Sequence, residues 1–200
     1  MRRAGAGAAA ALLLAGCGAS SALMTGTSRI PRSLLAGERP IGAGPRFQPP
    51  ATGPLTAPCT ATLGPREQAH IEVFGANRVV LLPAGMGTEP PRRFLDGRLL
   101  RAGCFGALVT VDPTGVVYFR PGTRLTLATL FRVWGQPLTA RRVASFTGGR
   151  TAVYVGGRRW PGAPGSVPLR DGEEIVVEIG PHVPPHRSFT FAPKPSRRLP

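Results

Sequence analysis

The sequence is poor in carboxylates and in lysine. Its 200 residues contain 10 Asp and Glu against 25 Lys and Arg, and Lys194 is the only lysine. Arginine with so little lysine, beside 27 Gly and 23 Pro, is also the composition that a GC-rich genome produces. The net charge of +15 therefore has two interpretations, a compositional surface charge or a binding patch for anions.

A long hydrophobic segment is missing as well. The apolar stretch at residues 4–16 is shorter than the roughly 20 residues that span a bilayer. It follows Arg2 and Arg3 and ends on Leu-Ala-Gly before Cys17, which is typical of a bacterial lipoprotein signal. The alternative is an ordinary secretory signal with a chance cysteine. We predict a signal at 1–16 and an acylated Cys17 that anchors the chain on the extracytoplasmic face of the cell membrane.

Aromatic residues are few, at 6% of the chain. Proteins that bind single-stranded nucleic acid combine basic grooves with aromatic side chains on which bases stack. The arginines here are not interleaved with such aromatics, so the sequence argues against nucleic acid as a partner. Besides the membrane itself, the expected partners are an anionic lipid, a cell-wall polymer or an envelope protein.

Cysteine is scarce, and only Cys59 and Cys104 remain once Cys17 is acylated. Two cysteines in an oxidising compartment most often pair. A metal or redox pair of thiols would be expected at a CxxC spacing, which these two lack. We therefore predict a disulfide between them.

The chain divides by composition. Residues 17–66 are rich in Gly, Pro, Ser and Thr without a periodic apolar pattern, which predicts a disordered tether. Residues 181–200 form a proline-rich tail, for which we expect an extended chain. The segment between them, 67–180, is predicted to be the globular domain.

Most of this domain is predicted to form strands. Turn residues separate apolar runs at 70–74 and 79–82, at 107–111 and 116–119, and at 152–155 and 158–160. A last strand at 173–179 alternates, with Ile175, Val177 and Ile179 on one face. Residues 88–103 are interpreted as a polar, basic loop.

One short helix is predicted from Leu127 to Trp134. Its four apolar residues are spaced i, i+3, i+4 and i+7, with Thr126 as the N-cap and Gly135 beyond the end. A helix this short is unstable alone, so it must pack on the sheet. We interpret its Phe131 and Trp134 as core residues.

These elements predict an α+β, mainly β fold, a small mixed sheet crossed by one short helix. Residues 169–175 read Leu-Arg-Asp-Gly-Glu-Glu-Ile, which resembles the turn before the final strand of β-grasp domains. The predicted architecture is therefore β-grasp-like. A cupredoxin-like β-sandwich is the alternative.

Residues 69–191 also resemble an uncharacterised family of exported or membrane-anchored prokaryotic proteins. The resemblance rests on Pro-Ala-Gly-Met-Gly at 83–87, Trp-Gly-Gln-Pro-Leu at 134–138 and Gly-Pro-His-Val-Pro-Pro at 180–185. The Trp-Gly-Gln-Pro-Leu stretch is the most specific of these matches.

The same resemblance implies histidines that this chain mostly lacks. Family members carry His-x-His and His-Thr-His motifs that would gather a metal from neighbouring strands. Here those positions hold Gln68, Val109, Val111 and Tyr118, and only His70 matches. We therefore predict no metal site and no cofactor, with His70 as a residual candidate ligand.

No catalytic motif stands out, since the sequence contains neither Gly-x-Ser-x-Gly nor His-Glu-x-x-His. We predict a non-enzymatic lipoprotein with a binding or structural domain. Arg92, Arg93, Arg98 and Arg101 are the candidate anion-binding residues, and the alternative is that their loop is a solvated connector. The alternative function is a metal-binding or redox cupredoxin-like domain with a degenerate site.

Overall fold

A computed structural model describes residues 40–194 of the chain. This part contains one α-helix, α1 (Leu127–Trp134), and one turn of 3-10 helix (Pro164–Ser166). Neither helix of this region is long and apolar enough to cross a membrane. The strands are β1 Glu67–Gly75, β2 Arg78–Val79, β3 Thr88–Glu89, β4 Arg93–Leu95, β5 Arg98–Arg101, β6 Cys104–Phe105, β7 Leu108–Thr110, β8 Val116–Phe119, β9 Leu138–Thr139, β10 Arg142–Val143, β11 Thr151–Val155, β12 Arg158–Arg159 and β13 Glu174–Ile179.

The main sheet is open and mixed, in the order β12-β11-β13-β1-β8-β7, with β2 also paired to β1. Its central strands β1 and β13 run parallel, and its other pairs are antiparallel. The predicted α+β, mainly β fold with one short helix is confirmed. A single open sheet with a parallel central pair favours the β-grasp-like arrangement over the cupredoxin-like sandwich.

Strand alternation gives the sheet two different faces. On β13, Ile175, Val177 and Ile179 belong to the core that includes the apolar side of α1. Glu174 and Glu178 flank Val176 on the opposite face, which we call the outer face. The alternation predicted for this strand is therefore confirmed.

The helix begins and ends where the sequence predicts. Thr126 is the N-cap, and Gly135 adopts the left-handed conformation (φ 78°) and donates its N–H to the carbonyl of Arg132. Trp134 is fully buried, and its indole Nε1 donates to the carbonyl of Pro49 at 3.1 Å. The two aromatic residues of the helix are core residues, as predicted.

The packed region extends beyond the predicted 67–180 on both sides. Leu63 on one side and Val183 on the other are almost completely buried. Within residues 40–66, Thr52 and Thr60 donate backbone hydrogen bonds to Trp134 and Phe105, and residues 181–194 lie against the outer face. Single apolar residues between prolines give no periodic signal, so the sequence pattern could not show this packing. The predicted signal at 1–16, Cys17 and the remainder of the tether lie outside the described residues.

The prediction of a loop at residues 88–103 is wrong, because this segment contains the β4–β5 hairpin. Asp96 and Gly97 form its two-residue turn, with φ of 49° and 78°. Asp-Gly is a strong signal for this turn, and the basic composition of the segment obscured it.

The predicted disulfide is present. Cys59 and Cys104 are bonded, with their Cα atoms 5.6 Å apart. The bond ties the 40–66 segment to β6. Arg66, which is buried, adds hydrogen bonds from its guanidinium to the carbonyls of Gly106 and Ala107.

Candidate metal centre

All three histidines of the chain are paired with glutamates whose side chains lie on the outer face. The pairs are His70 with Glu174, His182 with Glu178, and His186 with Glu72. His70 is on β1, whereas His182 and His186 belong to the C-terminal segment that crosses this face. Among these pairs, the one formed by His70 is the most deeply buried.

The parallel register of β1 and β13 places His70 directly opposite Glu174. Its Nδ1 lies 2.7 Å from Glu174 Oε2, and the two side chains are 9% and 1% exposed. Glu72 follows two residues later on β1 and therefore shares the same face. One ligand atom from each of His70, Glu72 and Glu174 lies within 4.8 Å of the others. The sheet thus gathers one imidazole and two carboxylates at a single point.

The second ring nitrogen of His70 fixes the tautomer. Nε2 lies 3.0 Å from the carbonyl oxygen of Thr114, which only accepts hydrogen bonds, so Nε2 carries a proton. Nδ1 and the Glu174 carboxylate at 2.7 Å then share one further proton. Burial raises the pKa of Glu174, although the hydrogen bond with His70 opposes this shift. A divalent cation bound at Nδ1 and the carboxylate would replace that proton.

Glu174 is also incompletely satisfied. Its second oxygen, Oε1, is buried and has no hydrogen-bond partner. Leaving such an atom unpaired costs about 1–3 kcal/mol. A bound cation would satisfy this oxygen if it took Oε1, in place of Oε2, as its ligand.

The pair formed by Glu178 shows the contrast. One oxygen, Oε1, accepts hydrogen bonds from Tyr154 and lies 2.8 Å from His182 Nδ1. The other, Oε2, accepts the backbone N–H of Val183 at 2.8 Å. Both oxygens of Glu178 are therefore satisfied, and this pair has the character of a structural contact.

Neighbouring groups orient the ligands. His186 Nδ1 lies 2.8 and 2.9 Å from the two oxygens of Glu72. The contacts of Thr114 with His70 and of His186 with Glu72 are the kind of outer-sphere interactions that fix metal ligands. His186 is therefore a positioning residue for this centre.

An aromatic ring and a small cavity both lie beside His70. The ring of Phe189 stacks on the imidazole with centroids 3.8 Å apart. A cavity of about 90 Å³ has His70, Glu72 and Gly115 on its wall, and Glu174 is not among the residues that line it. Gly115 adopts φ 85°, and a Cβ there would lie 3.0 Å from His70 Nε2.

The donor set and spacing fit zinc. Imidazole nitrogen and carboxylate oxygen bind Zn²⁺ at about 2.0–2.2 Å, which separates ligand atoms by about 3.4 Å in a tetrahedral site. The His70–Glu174 distance of 2.7 Å would open slightly, and the third ligand lies within the 4.8 Å span. Three protein ligands leave a fourth position open for water or a small ligand.

The sequence identified His70 as a residual candidate but missed its partners. Glu174 is 104 residues from His70, and no local sequence pattern predicts the strand pairing that brings the two together. Glu72 is on the same strand as His70 but belongs to no motif that marks it as a ligand. Three of the positions at which the resemblance implies histidine, Val109, Val111 and Tyr118, pack together in an apolar cluster on the outer face.

The remaining predicted site residues lie elsewhere. Cys59 and Cys104 form the disulfide, and Cys17 is outside the described residues. The four candidate arginines flank or belong to the β4–β5 hairpin. Comparisons of the chain with protein-family models, with curated proteins and with solved structures give no match. The function is therefore argued from this geometry.

Proposed function

We propose that this protein is an exported, lipid-anchored binding protein whose β-rich domain holds a divalent cation at His70, Glu72 and Glu174. The observation that carries the proposal is the buried Glu174 carboxylate, which has one oxygen on His70 and the other without a partner. Zn²⁺ is the metal of choice, because the donors are nitrogen and oxygen and the spacing suits a tetrahedral ion.

Each residue has a distinct part in this site. His70 supplies the Nδ1 lone pair while its Nε2–H donates to Thr114. Glu174 and Glu72 supply carboxylate oxygens, and their two charges balance that of a divalent ion. Charge balance matters here because an uncompensated ion in a buried site is strongly disfavoured.

The export part of the proposal rests on the N-terminal pattern ending at Cys17. A disulfide such as Cys59–Cys104 is typical of proteins outside the reducing cytosol, which supports the same location. The disulfide also bears on the redox alternative. Blue-copper sites need a cysteine thiolate, and both cysteines of the described region are bonded to each other.

The test is a calorimetric titration of the disulfide-bonded full chain with Zn²⁺ alone, paired with elemental analysis after dialysis. We expect one zinc per chain, and we expect the His70→Ala and Glu174→Gln variants to lose it. His182→Ala is the matched control, because it removes a histidine from another His–Glu pair on the same face.

Circular dichroism and thermal unfolding establish that each variant is folded before its titration is interpreted. Zinc binding that survives both His70→Ala and Glu174→Gln would refute the site. Equal losses in His182→Ala and His70→Ala would mean that zinc binds to histidines in general rather than to this centre.

A further inference from the structure

The tip of the β4–β5 hairpin exposes two large apolar side chains. Phe94 is 49% exposed and Leu95 is 59% exposed, and among the described residues only Ile41 is a comparable case. Both lie next to the Asp96-Gly97 turn. Exposed apolar side chains that adjoin one another indicate a surface that contacts a partner or a membrane.

Two arginines form the cross-strand pair of the hairpin that lies farthest from this tip. Arg93 and Arg101 are directly opposite each other across β4 and β5, and neither has a carboxylate partner in the described region. Like charges in such a cross-strand pair are destabilising unless an anion lies near both. Arg98 is 4.0 Å from Asp112, a contact too long to neutralise it fully.

Contacts with the rest of the domain hold the hairpin in place, so its tip has a defined position. Leu99 is fully buried, and its N–H donates to the carbonyl of Val111 at 2.7 Å. Arg92 donates from Nε to the hydroxyl of Thr88 at 2.9 Å. Phe94 packs over Gly85, where an added Cβ would lie 3.0 Å from its ring.

We propose that this hairpin docks on an anionic membrane surface. Arg93 and Arg101 would bind lipid phosphates, for which guanidinium groups are well suited, and Phe94 and Leu95 would enter the boundary between headgroups and acyl chains. An acidic polymer would also attract the arginines, but it gives no role to the exposed apolar tip, and protein-free vesicles distinguish a lipid surface from a protein partner. The inference is independent of the metal centre.

The test is co-sedimentation of the full chain with vesicles of phosphatidylcholine alone or with added phosphatidylglycerol. A Cys17→Ser background removes the proposed acyl anchor, and the contribution of the folded domain is read from the difference between variants in this background. We expect binding only when phosphatidylglycerol is present. Two arginines contribute roughly 1 kcal/mol each at such a surface, so Arg93→Gln/Arg101→Gln should bind about thirtyfold more weakly.

The control is Arg158→Gln/Arg159→Gln, which removes two exposed arginines from another hairpin and gives the same net charge. It should bind as the parent does, whereas Phe94→Ser/Leu95→Ser should bind more weakly. An equal loss in the control variant would refute the hairpin as the docking site. Absence of binding to phosphatidylglycerol vesicles, or binding unchanged in Phe94→Ser/Leu95→Ser, would refute the lipid as its occupant.

Discussion

Replacing Cys59 and Cys104 with serine should lower the free energy of unfolding by about 4 kcal/mol. The disulfide closes a loop with a sequence separation of 45 residues. In the chain-entropy model, opening a loop of that length gives the unfolded chain about 13 cal/mol/K of extra entropy, which is about 4 kcal/mol at room temperature.

The folded state should tolerate this change, because other contacts hold the same segment. Thr60 and Phe105 exchange backbone hydrogen bonds at 3.0 and 2.8 Å, immediately beside the two cysteines. Arg120 also donates to the Thr60 hydroxyl at 2.6 Å. The destabilisation should therefore arise in the unfolded ensemble and leave the native spectrum unchanged.

Urea unfolding followed by circular dichroism measures the effect. A slope of about 2 kcal/mol/M would convert the loss into a fall of about 2 M in the midpoint. Reductant should move the wild-type midpoint to that of the double serine variant and leave the variant itself unaffected. A loss below about 1 kcal/mol, well under the usual range, would refute the entropic reasoning for this loop.

Two further predictions concern Asp171 and Gly115. Burial raises the pKa of Asp171, but hydrogen bonds from Lys194 and the backbone N–H of Gln68, with the Lys194 charge, lower it overall, below its ordinary 3.8. Since the folded state holds this proton less tightly, stability should be complete above pH 3.8 and fall as pH drops through the lower folded value. Asp171→Asn should flatten this acid limb in pH-dependent unfolding, and a limb as steep as that of the wild type would contradict the assignment. Gly115→Ala should lower both stability and zinc affinity, because its Cβ would lie 2.7 Å from the Ile71 carbonyl and 3.0 Å from His70 Nε2 at a positive φ. Calorimetry and thermal unfolding measure both, and unchanged zinc affinity would show that the position of His70 does not depend on this glycine.

Local sequence signals predicted the local elements. The apolar spacing from Leu127 to Trp134 and the glycine after it gave the helix, because both act within a few residues. The Gly156-Gly157 turn likewise joins β11 to β12, as expected from its two-residue spacing. Each of these features depends on residues that are close together in the sequence, so a local pattern is enough to predict it.

The candidate centre could not be predicted in the same way. His70 meets Glu174 through the parallel pairing of β1 and β13, and His186 meets Glu72 across 114 residues. Alternation did place Glu174 on the polar side of its strand, but it does not say which strand lies beside it. The prolines around Val183 leave no periodic apolar pattern, so the sequence does not predict that the C-terminal segment packs on the outer face. This segment supplies two of the three histidines.

The glutamates on the outer face pair with histidines although the chain contains many more arginines than histidines. With 25 Lys and Arg in the sequence, the chain has many arginines, which stay charged and can bind a carboxylate bidentately. Glu72, Glu174 and Glu178 instead each meet a histidine, whose neutral imidazole can offer a lone pair to a metal. Of these glutamates, Glu174 is the one with a buried oxygen lacking a partner. Glu173 also has a buried oxygen without a partner, Oε2, but its other oxygen pairs with Arg170, whereas that of Glu174 pairs with a histidine that can bind a metal. For this reason we expect zinc binding to be lost in His70→Ala and Glu174→Gln and to be retained in His182→Ala.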